Sequence, residues 1–133
     1  MPDSYLYEYA VIRVVPRVER EEFMNVGVIL YCRDKKFLQA RIDFQEERLR
    51  CFSGLDEAGL QEINTYLQSF NHICAGGKMG GPIGDYPLAE RFRWLTAARS
   101  TVVQTSATHP GFSKDPQDTL IHLHRSLVMM DYE

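Results

Sequence analysis

Two short runs in this chain are apolar on both parities, and they constrain the fold more than anything else in it. Tyr5 to Val15 places Tyr5, Tyr7, Tyr9, Val11, Arg13 and Val15 on one side, and Leu6, Glu8, Ala10, Ile12 and Val14 on the other. Val26 to Cys32 reads Val-Gly-Val-Ile-Leu-Tyr-Cys, again apolar on both sides. Short β-branched and aromatic runs of this kind read as strands, and strands with no polar face belong inside a sheet covered on both faces. A third run, Phe37 to Asp43, alternates instead. Leu38, Ala40 and Ile42 share one side, and Phe37, Gln39, Arg41 and Asp43 the other, which predicts a half-solvated edge strand. With the charged turn Arg33-Asp34-Lys35-Lys36 before it, the order predicts an antiparallel meander.

Between the first two runs lies a charged crossing from Pro16 to about Met24. It is longer than the roughly two to five residues of a tight hairpin. Pro16 ends the first strand, because it lacks a ladder donor. Arg17, Glu19, Arg20, Glu21 and Glu22 follow, with Arg13 just before. One reading is a solvated loop whose charges pair with one another. The other makes Arg13, Arg17 and Arg20 an anion-binding fork, since guanidinium matches phosphate and carboxylate geometry. A charge at Arg13, near the end of an interior strand, needs a partner, and Glu21, Glu22 or Asp43 is expected to form an ion pair with it. Asn25 can bond its own backbone and fix the turn into the second strand. Gly27 marks a bulge or a close backbone approach.

Downstream the pattern changes to helices. Asp43-Phe44-Gln45-Glu46 has the form of a capping box, so a short helix is expected to run past Arg50 and stop near Gly54. Asp56 caps the next helix, whose stripe Leu60, Ile63, Leu67, Phe70 and Cys74 is the clearest helical signal in the chain. Residues 75–87 form a glycine-rich connector or lid. Pro87 starts a helix with Leu88, Phe92 and Leu95 on its buried side. Thr101 to Ser106 reads as a fourth strand and Thr108-His109-Pro110-Gly111 as a turn. Asp115-Pro116 opens a last helix with Leu120, Leu123, Leu127 and Met130 inward. The expectation is a single α+β domain over 1–133: an antiparallel sheet of about four strands with packed helices.

Composition narrows the function classes. A chain of 133 residues suits one domain and buries enough surface to need no staple. A net charge of -3 argues against broad, non-specific nucleic-acid binding. Cys32, Cys51 and Cys74 are widely spaced and odd in number, which predicts reduced thiols in a cytoplasmic protein rather than a disulfide framework or a metal site. No run approaches the roughly 18 apolar residues of a membrane span, and the first residues lack the order of a secretory signal. No cofactor motif is present.

Candidate ligand-binding residues form two groups: Arg13, Arg17, Arg20, Glu22 and Asn25 around the crossing, and Arg99, Ser100, Gln104, Ser106 and His109 farther on. If the fourth strand pairs beside the first, the two groups meet. Otherwise the second group is capping and turn chemistry. Ser106 with His109 could mimic a nucleophile and its base, with no third member nominated. Tyr5, Tyr7 and Tyr9, on one side of a strand, are core or a partner surface, or else a base-stacking platform.

Tyr7-x-Tyr9-Ala10-x-x-Arg13-x-x-Pro16, followed by Arg20-x-Glu22-Phe23-x-Asn25-Val26-Gly27-Val28-x-Leu30, resembles a bacterial family of unknown function, the one numbered 3037. Ala98-Arg99-Ser100, Gln104-Thr105-Ser106 and His109-Pro110-Gly111 are similar to that family's second half. The resemblance covers nearly the whole chain and brings no assigned activity. It implies an accessory role beside a HipA-like kinase, because genes of the two kinds often neighbour each other. The sequence therefore predicts a non-enzymatic interaction or accessory module with a protein partner or as a homodimer. The alternative is a binder of nucleic acid or phosphate ligands through the arginines, with hydrolytic activity as its extension.

Overall fold

In a computed structural model, which describes residues 4–129, the first of the doubly apolar runs is the centre of a five-stranded antiparallel sheet. Strand β1 (Tyr5–Val14) pairs along one edge with β2 (Met24–Cys32), which pairs in turn with the edge strand β3 (Phe37–Ile42). The other edge of β1 is shared by two short strands, β4 (Val103–Thr105) and β5 (His109–Ser113). The helices are α1 (Glu46–Ser53), α2 (Glu57–Ala75), α3 (Leu88–Leu95) and α4 (Pro116–Leu127).

The meander follows the expected order, and the strand faces explain how the layers assemble. Ala10, Ile12 and Val14 of β1 and Val26, Ile29 and Tyr31 of β2 point to one side, where they bury against Leu49, the α2 stripe, Phe92 and Leu95. Val28, Leu30 and Cys32 point to the other side and bury under Leu120 and Val128. Helix α4 packs on β2 and β3. Tyr5, Tyr7 and Tyr9 rim that second core and stay half-buried. Met130, expected on the α4 stripe, lies outside the described residues.

Gly27 occupies a close approach. Ile12 lies opposite Gly27 and Arg13 opposite Asn25, so Val26 is the extra residue of a β-bulge. A Cβ on Gly27 would stand 2.9 Å from the Arg41 carbonyl oxygen. The bulge lets Val26 and Ile29, three residues apart, share one core face, where strict alternation would turn one of them away.

Three expectations need correction. The turn predicted at Thr108 to Gly111 is largely strand β5. Pro110 and Gly111 are poor strand residues, but they sit on an edge, where a missing donor is tolerated, and the Tyr7 ring covers Gly111. Strand β4 is also shorter than Thr101 to Ser106. Helix α1 lacks its capping box: Gln45 holds the cap position without a side-chain bond, while Asp43 accepts from the Gln45 amide. Asp56 and Asp115 do cap α2 and α4, accepting from the backbone N–H groups of Gly59 and Gln117.

The glycine-rich connector is a packed structure. Lys78–Asp85 forms 3₁₀ turns folded back on α2, and a Cβ on Gly84 would run into the Gly77 carbonyl. Arg91 of α3 ties the region down by donating to the carbonyls of Ile73, Cys74 and Tyr86 at 2.8–3.0 Å. A guanidinium there satisfies carbonyls that the end of α2 would otherwise leave open.

Two tests follow from burial. Cys32 and Cys74 are buried and Cys51 is exposed. Burial pushes the Cys74 thiol up to about 12, against the smaller opposing pull of Arg91. Thiol titration of the native protein should therefore find a single fast group, at Cys51, and three only after denaturation. His124 is buried on α4, and its Nε2 has no hydrogen-bond partner among the described residues. Burial first and Arg41 second hold its imidazole below 6.5, while Asp43 pulls the other way. The unfolded chain then binds the proton more readily, so stability present above 6.5 should fall as pH drops through and below that value. In urea unfolding, His124→Gln should flatten this part of the pH profile.

Candidate functional site

The crossing between β1 and β2 is exposed from Arg17 to Phe23. It makes a 3₁₀ turn at Val18–Arg20, passes Glu21 in the left-handed conformation (φ 56°), and returns beside helix α1. Two surface clefts open there. One, of about 430 Å³, is lined by Pro16, Arg17, Arg20, Glu22 and the end of α1 from Cys51 to Gly54. The other, of about 410 Å³, lies between Phe23, Met24, Asn25, Arg48 and the end of α4 at Ser126 to Met129. Phe52 lines both, and the two adjoining clefts together make up a groove.

The groove gathers large apolar side chains that remain in contact with water. Phe23 is 48% exposed, Phe52 39% and Met129 41%. Arginines stand among them in different roles. Arg20 is held by Glu22, and this contact raises the arginine's pKa and lowers that of the carboxyl. Arg13 lies with its guanidinium 4.2 Å from the centre of the Phe23 ring, a cation–π contact. The ion pair expected for Arg13 is not formed with Glu21, Glu22 or Asp43: among the described residues no carboxylate pairs with it, and its Nε is buried without a partner. The reason is directional. On β1 the Arg13 side chain leaves on the α4 side of the sheet beside Asn25 and lies against the Phe23 ring. The structure therefore does not assemble Arg13, Arg17 and Arg20 as one fork. Asn25 donates its amide to the carbonyl of Leu127 at 3.1 Å, joining the start of β2 to the end of α4.

The second group of candidates is scattered by the same topology. Strand β4 does pair beside β1, and Gln104 stands opposite Arg13, but its amide donates to Thr101. Arg99 lies over the Trp94 ring at 4.7 Å and donates to the Trp94 carbonyl, away from the crossing. Ser100 is exposed in the loop before β4. His109 stands opposite Tyr9, with ring centres 5.3 Å apart.

Ser106 has a structural role. Its backbone N–H donates to the Val11 carbonyl at 2.8 Å, and its hydroxyl accepts from the Val11 N–H at 2.9 Å while donating to Ala107. One residue thus supplies both bonds in the gap between β4 and β5. The Ser106 hydroxyl proton goes to the Ala107 carbonyl, and among the described residues no hydrogen bond joins Ser106 to His109, so the nucleophile-and-base pairing is not formed. Among the described residues no group of three His, Cys, Asp or Glu side chains gathers as a metal site, and no helix is long and apolar enough to cross a membrane.

Sequence reasoning missed Phe23, Arg48, Phe52 and Met129. Phe23 could have been flagged as a large apolar residue in a run of charges. Phe52 stands three residues after the buried Leu49 and reads as part of the same helical stripe. Only the short reach of α1 leaves it at the rim.

The family model described as "Protein of unknown function (DUF3037)" matches residues 9–128. No curated protein and no solved structure matches the chain.

The role of Ser106 is open to direct test. Ser106→Ala leaves the Val11 N–H without its acceptor in a partly buried position, at an expected cost of about 1–3 kcal/mol. Urea unfolding should show the loss, amide exchange at Val11 should accelerate, and Ser106→Thr should restore most of both.

Proposed function

The chain belongs to the family of proteins of unknown function designated DUF3037, and from that premise we propose that it is a non-enzymatic, cytoplasmic interaction module whose partner docks in the groove at the β1–β2 crossing. The observation that carries this reading is the gathering of Phe23, Phe52 and Met129, all well exposed, around clefts that meet at one shared ring. Exposed apolar side chains scattered singly are ordinary, whereas a cluster rimmed by polar groups is a common mark of an association surface. Tightly held aromatic and arginine side chains are also the residue types that dominate binding energy. The first partner to try is a HipA-like kinase, which the family resemblance implies. A second copy of the chain is the other partner of this class.

The test is reconstitution of the full chain with such a kinase, followed by size-exclusion chromatography and calorimetry. A stoichiometric complex is expected. Phe52→Glu should weaken it by about 2 kcal/mol, roughly 30-fold, while leaving the circular dichroism unchanged. A chain that stays monomeric and retains neither the kinase nor any protein of its host's lysate sinks the reading.

A further inference from the structure

Resting on that reading, we infer that the groove accepts an acidic peptide segment that carries a bulky apolar side chain. The apolar half of the argument is the shape of the site. Each cleft, at about 430 and 410 Å³, has room for a large side chain, and Phe52 stands between them where an anchor would contact it from either side. Phe23, Met24, Val128 and Met129 give the second cleft an apolar lining.

The charged half comes from the arginines that have nothing to pair with. Among the lining residues stand Arg17, Arg20 and Arg48 against a single carboxylate, Glu22, and Glu22 is engaged by Arg20. Arg48 reaches only the Gln45 side-chain oxygen, at 3.1 Å. Neither Arg17 nor Arg48 makes an ion pair among the described residues, and Arg13 behind Phe23 makes none either. The lining of the groove thus carries three arginines against one carboxylate, on a protein whose net charge is -3. Carboxylates on either side of an anchor would meet arginines at both ends: Arg17 beside the first cleft and Arg48 beside the second.

The same arrangement disfavours a nucleic acid. A phosphate backbone needs a continuous basic track. Here Glu22 lines the groove, and Glu19 and Glu21 occupy the adjoining crossing. A peptide can place its few charges between these acids.

The experiment is a selection of phage-displayed random peptides, about twelve residues long, on the full chain, with Arg48→Glu/Phe52→Glu protein as the counter-target. Enriched peptides are then measured by fluorescence anisotropy. The expected outcome is enrichment of Asp and Glu around one aromatic or large aliphatic residue. Replacing that residue with Ala should weaken binding about tenfold or more, as should Arg48→Glu alone, and affinity should fall with added salt. Enrichment of apolar peptides without acidic residues, insensitive to salt and to Arg48→Glu, overturns the acidic assignment but leaves the groove as a docking surface. No enrichment over the counter-target, or tighter binding of a single-stranded oligothymidylate than of any peptide, overturns the inference outright.

Discussion

Strand β1 is hydrogen-bonded along both of its edges, and the sheet is built outward from it. On one side the ladder to β2 must absorb the extra residue Val26. On the other the ladder must bridge the gap between β4 and β5, where the Ser106 hydroxyl stands in for a backbone acceptor. With both edges satisfied, β1 can present apolar residues to two cores at once: one under α2 and α3, the other beside α4. The crossing that leaves β1 at Pro16 starts from this fixed point.

Much of this was legible in the sequence because it is carried by periodicity. The doubly apolar runs gave the two interior strands, the alternation of Phe37 to Asp43 gave the edge, and the stripe from Leu60 to Cys74 gave the longest helix. Each of those signals is a local consequence of a tertiary layer. Strand β5 had no such signal. His109, Pro110 and Gly111 are turn formers by intrinsic preference, and their conformation is imposed by the free edge of β1 and by the Tyr7 ring lying over Gly111.

The site was less legible than the fold, for a physical reason. Charged residues in a sequence advertise themselves without saying how they are neutralised. Arg13 illustrates the difficulty: its strand position implied an ionic partner, and the structure supplies the face of Phe23. The charge of Arg91 likewise names no target, yet its guanidinium closes the end of α2. What marks the groove is the set of apolar groups left unburied, and that depends on where α1 and α4 end. Chain termini of helices are set by packing and capping together, so their exposure is among the last features a linear pattern reveals.

The split of the outer strand has a consequence for how this fold can vary. Because β4 and β5 are joined through a short segment whose bonds to β1, among the described residues, are those of Ser106, the two strands need not share one continuous register. Residues added between Ser106 and His109 would be taken up in that segment, with Val103–Thr105 still held against Ile12–Val14. The join acts as an expansion gap: length can be added there without the strain reaching the crossing on the far side of β1.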